Sequence, residues 1–236
     1  MAAVWKREMQ AYFKTPVGYV FMGFFLLVTG LMFFFSNLST GSGNLVNLLS
    51  QFTSILLFLA PILTMRLFSE ERRSKSEQLL LTSPVSLTAI VAGKFLAASA
   101  AYGLSLAATF PYVLIVGVFG RVYWGETLLA YAGLFLCGCC FIAVGTFVSS
   151  VTENQVSAAA VAFGVNFLLW AIDAVIGMIP MPWVAGVLSW FSVFQRYEAF
   201  AEAQLGFSGV LYFLSFCAVF LFLTVRVMDR RRWSEG

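Results

Sequence analysis

The run Thr127–Val151, TLLAYAGLFLCGCCFIAVGTFVSSV, holds no Asp, Glu, Lys or Arg. The hydrocarbon core of a bilayer is about 30 Å thick, and roughly 20 apolar residues in a helix cross it. Five further runs meet the same test: Val17–Phe35, Leu48–Leu67, Ile90–Phe119, Gln155–Gly177 and Ser208–Val227. They are unbroken, where a membrane barrel alternates over strands of ~10 residues. The expected fold is therefore all-α and polytopic, with six transmembrane helices. The third run exceeds what a bilayer needs, so it projects, tilts or kinks at Pro111. Pro61 is expected to disturb the second.

Composition agrees with the runs. Of 236 residues, 61% are hydrophobic and 11% charged, with mean hydropathy +0.90. Soluble domains carry about 45–50% apolar and 25% charged residues. There is no histidine, which removes the commonest general base and the commonest metal ligand. Cys137, Cys139, Cys140 and Cys217 all fall within spans. Although Cys137 and Cys140 make a C-x-x-C, no His or carboxylate accompanies them, and packing explains them better than metal or redox chemistry. No catalytic, cofactor or metal residue is assigned, and a net charge of +3 without a basic patch gives no nucleic-acid surface.

Basic residues orient the spans. Arg121 and Arg196 fall on one side, and the other twelve of the 14 Lys and Arg on the opposite side. Both termini are therefore expected in the cytoplasm. The first run is too long for a secretory signal core of about 7–15 residues, and no small-x-small cleavage site follows it.

Outside the spans, three segments carry information. Residues 1–15 place Trp5, Met9, Tyr12 and Phe13 on one stripe, with Lys6, Arg7, Gln10 and Lys14 opposite. That pattern fits a helix lying in the membrane interface, before Pro16 opens the domain of residues 16–236. A topogenic leader is the alternative.

The connection Met65–Lys94, MRLFSEERRSKSEQLLLTSPVSLTAIVAGK, is the one sizeable cytoplasmic loop. Ser74-Lys75-Ser76-Glu77 has capping-box spacing, Leu79–Leu81 follow, and Thr82-Ser83-Pro84 ends the helix. Ser86 can cap the next one. The segment reads either as a rigid cytoplasmic knob or as a solvated charge run that sets topology.

In Ile179–Phe207, Pro180 and Pro182 break the fifth span, and Trp183, Trp190, Phe191 and Phe194 follow at the outer interface. Asp173 is the one acid well within a span. It is either a polar intramembrane site or a side chain reaching the outer interface.

Glu70-Glu71-Arg72-Arg73-Ser74, then Leu79-Leu80-Leu81-Thr82-Ser83-Pro84-Val85, resemble the permeases of ABC-2 type transporters, with a closer likeness to the gliding-motility permeases. Trp190–Tyr197, Tyr212–Ser215, Phe220–Thr224 and the basic end extend the resemblance over essentially the whole chain. It implies a coupling helix including Glu70, Glu71, Arg72, Arg73, Ser74, Lys75, Ser76, Glu77 and Gln78, fitted to a separate ATPase that holds ATP and Mg. Relatives commonly carry Gly-Thr-x-Glu before the leucines; here Gln78 replaces the acid and Glu77 stands one residue earlier, about 100° around a helix. The resemblance also implies an outer gate of re-entrant helices (Trp183, Trp190, Phe191, Phe194, Arg196) in an exporter of the cytoplasmic membrane.

Partners implied are the ATPase, a second or related permease copy, the lipid bilayer and an accessory membrane or periplasmic subunit. Small residues Gly133, Cys137, Gly138 and Gly145 in span four, and Ala159, Ala160 and Gly164 in span five, allow close helix packing between or within subunits. A secondary transporter or channel would show inverted repeats or several mid-membrane charges. A membrane enzyme would need a nucleophile with a base or a metal cage. Gly93-Lys94 lacks the glycine that a phosphate loop places five residues earlier; Thr88 is there.

Overall fold

Six helical segments are long and apolar enough to cross a membrane: Pro16–Leu38, Leu45–Arg73, Leu87–Val118, Trp124–Val151, Gln155–Asp173 and Phe207–Arg232. The computed structural model describes residues 2–74, 85–176, 181–202 and 207–234, and among these there is no strand. The elements are α1 (Ala2–Lys14), α2 (Pro16–Phe33, closing in a π-helical turn over Phe34–Leu38) and α3 (Leu45–Thr64). After these come α4 (Ser69–Arg73), α5 (Leu87–Ala107), α6 (Phe110–Phe119) and α7 (Trp124–Val151). The chain ends with α8 (Gln155–Ile176), α9 (Pro182–Phe191), α10 (Val193–Ala201) and α11 (Phe207–Ser234).

The two prolines behave differently. Pro111 sits in the first turn of α6, and the third span breaks just before it at Ala108–Thr109. Its ring clashes with the preceding turn, so the chain restarts a helix there. Pro61, by contrast, lies inside α3, which continues to Thr64 and turns only at Met65–Phe68.

Burial separates the spans. The apolar windows of α3 and α7 are each 67% buried, against 17% for those of α8 and α11. Glycines explain how α7 accepts so many neighbours. A methyl on Gly138 would lie 2.3 Å from Tyr102 Cε1, one on Gly145 2.1 Å from Thr64 Oγ1, and one on Gly133 2.7 Å from Phe200 Cβ. Without a hydrophobic drive between helices in lipid, such close approach supplies the packing energy. The small residues of span four therefore pack within the chain. In span five, Gly164 meets nothing within 4 Å and Ala160 is exposed. All four cysteines are buried thiols, with Cys140 and Cys217 Sγ 3.8 Å apart.

The face that α1 buries differs from its apolar stripe. Tyr12 is buried and donates to Leu63 O at 2.9 Å, but Trp5 is 40% exposed. The inward face is Val4, Glu8, Ala11 and Tyr12, about one residue around from the expected stripe. Val4 packs where a methyl on Gly93 would be only 3.0 Å away. An interior anchored by a charge, described next, outweighs the burial of Trp5. The opening of α5 also lies beside the close of α11, where Thr88 and Asp229 border one cleft. Both termini thus stand at the same end of the bundle.

Candidate functional site

At the end carrying both termini, charged side chains from four elements interlock. Lys94, two turns into α5, is buried to 2% of its side-chain surface. Its Nζ donates to Glu8 Oε1 at 3.1 Å, Glu71 Oε1 at 2.8 Å and Leu67 O at 2.7 Å, and lies 5.2 Å from the centre of the Phe68 ring. Three acceptors satisfy the three ammonium protons. Arg7 Nη2 bridges the same two carboxylates, at 2.8 Å from Glu8 and 3.2 Å from Glu71. The Glu8 hydrogen bond raises the Arg7 guanidinium above its ordinary value against the effect of burial, and burial pushes the Tyr12 phenol up. A cleft of about 340 Å³ opens among Arg7, Tyr12, Arg66, Glu70, Ser74 and Lys94.

The turn that launches α4 is held from α7. Ser149 Oγ accepts from Phe68 N at 3.1 Å and Ser69 N at 3.3 Å, and donates to Met65 O at 3.2 Å. One buried hydroxyl thus satisfies three backbone groups left open between helices. On α4, Glu70 pairs with Arg66 at 2.9 Å. Arg72 donates to Val151 O at 2.9 Å, at the C-terminus of α7 where a cation is favoured, and meets Glu153 at 2.6 Å. Arg73 is exposed. Ser74 has helical rather than cap geometry (φ −83°, ψ 0°), and its hydroxyl bonds back to Glu70 O at 2.9 Å. It therefore ends α4 instead of opening the expected capping box. Lys75, Ser76, Glu77 and Gln78, with the rest of the expected coupling helix, lie outside the described residues.

At the opposite end, α9 and α10 form a re-entrant hairpin. The Phe194 ring is 5.7 Å from that of Phe141, a position about 25 Å along α7 from Trp124. Phe200 packs on Gly133, eight residues nearer that end, so α10 rises antiparallel to α7. Ser192 at the apex is fully buried; its Oγ accepts from Gln195 N at 3.0 Å, capping α10, and donates to Asp173 Oδ1. Asp173 thus holds the hairpin tip to α8. Arg196 stacks over Tyr212 at 5.6 Å. Of the aromatic residues read as a gate, Phe194 is core, Trp183 and Trp190 are 72% and 75% exposed, and Phe191 closes α9.

The family model for the ABC-2 family transporter protein matches residues 3–233, from α1 through α11. The chain belongs to the ABC-2 transporter family. No curated protein matches it. It is thus the permease subunit of an ABC transporter, a multi-pass membrane protein that is a transport subunit rather than a catalytic one. Permeases of this family generally work with an ATPase subunit.

The structure brings together Glu70, Glu71 and Arg72 of the expected coupling set, and Phe194, Arg196 and Asp173 of the gate and polar set. Sequence reasoning missed Glu8, Lys94, Ser149 and Ser192. Lys94 left a signal: it is the one charge inside the run Ile90–Phe119, and such a charge needs partners. The serines left none.

Proposed function

We propose that the permease is the membrane half of an exporter in the cytoplasmic membrane, with both termini in the cytoplasm and ATP hydrolysed by a separate subunit. The ATPase engages the loop that begins at Glu70–Ser74 and continues through Lys75, Ser76, Glu77 and Gln78. What carries this reading is α4 itself, a short charged helix whose root is hydrogen-bonded to α7 and whose body is ion-paired to α1 and α5. A force applied there reaches three elements, where a flexible loop would absorb it. Twelve of the 14 basic residues on that side support the orientation. The narrower likeness to gliding-motility permeases rests on the residues quoted above.

Two copies, identical or related, enclose the path, and the open Ala160–Gly164 face of α8 suits such a contact. The α9–α10 hairpin acts as the outer gate, with Trp183 and Trp190 at headgroup depth. ATP and Mg are bound by the partner alone.

Arg73 is the cleanest probe, because Arg72 already serves the α7 corner. Arg73→Glu should reduce co-purification with the ATPase while the permease keeps its wild-type melting temperature. Wild-type association and hydrolysis would remove the loop from the interface. Cysteine labelling in intact cells, on a background lacking native cysteines, checks orientation: Ser42→Cys should react from outside and Arg73→Cys should not.

A further inference from the structure

We infer that α1 is part of the coupling machinery, because buried Lys94 fastens it to α4 and α5 so that a displacement entering at α4 carries α1 along. The inference rests on α4 being the approach to the ATPase. The acceptors of Lys94 belong to separate parts of the chain: Glu8 on α1, Glu71 on α4 and Leu67 in the turn between α3 and α4. Their carboxylates are themselves only 13% and 17% exposed. Charges stripped of water this far cannot part from their partners singly, since each separation strands an unpaired ion in a low-dielectric site.

Arg7 repeats the link, joining Glu8 to Glu71 without passing through α5. Tyr12 adds a hydrogen bond to Leu63 O at 2.9 Å. On the far side of α4, Arg72 meets Glu153, which is 71% exposed, and such a pair is weak. Ser149 holds the root of α4, whereas Lys94 holds its body. When α4 shifts, the contact with Glu153 yields first and the buried cage moves as a unit.

The test uses Lys94→Met/Glu8→Gln/Glu71→Gln, which removes all three charges together and so strands none. Single neutralisation would leave unpaired carboxylates and confuse folding with coupling. In the first arm, the permease alone is placed in lipid nanodiscs and its amide exchange followed. The triple variant should keep its melting transition, yet α1 amides should exchange about tenfold faster while those of α10 are unchanged. Unchanged protection of α1 would overturn the fastening, whatever the ATPase does.

In the second arm, the ATPase-bound complex is isolated from native membranes on a background lacking native cysteines. Spin labels stand at Gln10, Arg73 and Val156, with ATP·Mg or vanadate-trapped ADP. In the otherwise wild-type chain the Gln10–Val156 and Arg73–Val156 distances should change together and Gln10–Arg73 should hold. In the triple variant Arg73 should still move and Gln10 should not. An α1 that stays put beside a moving α4, or that follows equally without the charges, sinks the inference. An α4 that does not respond to nucleotide sinks the coupling reading with it.

Discussion

The two ends of the permease are held by different forces. At the end with the termini, α1, α4 and α5 meet through directional, charge-assisted bonds around Lys94, in contacts of 2.7–3.1 Å. At the other end, the α9–α10 hairpin is held mostly by shape: Phe200 fills the spaces over Gly133 and Gly209, Phe194 lies against Phe141, and the Ser192–Asp173 bond pins the tip. Directional bonds between buried charges fail all at once, so that end moves as one body. Van der Waals contact falls away gradually with separation, so a packed hairpin slides or lifts with smaller steps. The contrast suits one end to receiving force and the other to opening.

Variants at each end test the contrast. The largest effect is expected for Lys94→Met alone, which leaves Glu8 and Glu71 buried without their cation; losing one partner of a buried pair costs about 3–5 kcal/mol. Folded yield and thermal unfolding in detergent should show it, and a stable single variant would mean that Arg7 carries the site. Next comes Gly133→Val at the hairpin, where added bulk meets Phe200 Cβ; overpacking costs about 1–3 kcal/mol. Here the bundle should survive with α10 displaced, read as new reactivity of a cysteine at Ala201. Global unfolding would instead show that the hairpin is as tightly bound to the fold as the cage.

Ser192→Ala removes the α10 cap and the Asp173 link together. A cap loss of about 0.5–2 kcal/mol is expected, with faster amide exchange confined to α10. Asp173→Asn, which keeps an acceptor, should change less, and a larger effect than Ser192→Ala would assign the carboxylate a role besides anchoring. Trp190→Ala should be smallest for stability, within about 0.5 kcal/mol, because the ring is exposed. Any change it makes in transport therefore reports on gating rather than folding.

The break near Pro111 was legible because proline acts on its own helix, whatever surrounds it. Pro61 misled because a tight helix neighbourhood can carry a proline without a visible break; α3 is deeply buried there. The capping box at Ser74 was a plausible local pattern that lost to α4, whose last turn takes the same hydroxyl. The α1 stripe was read from hydrophobicity alone, which cannot register that Glu8 has a partner waiting in α5.

By itself the sequence determined that this is a six-span helical membrane protein, which of its ends is basic, and where a rigid segment follows span two. Those properties depend on the length of apolar runs, on the bilayer thickness they must match and on charge counts, all of which are local sums. The tertiary structure alone decided that span four turns its glycines inward while Gly164 of span five faces out, and that Asp173 meets Ser192. It alone joined Glu8 to Lys94 across 86 residues of chain. A contact between residues so far apart depends on how every intervening helix packs, and no single segment holds that information.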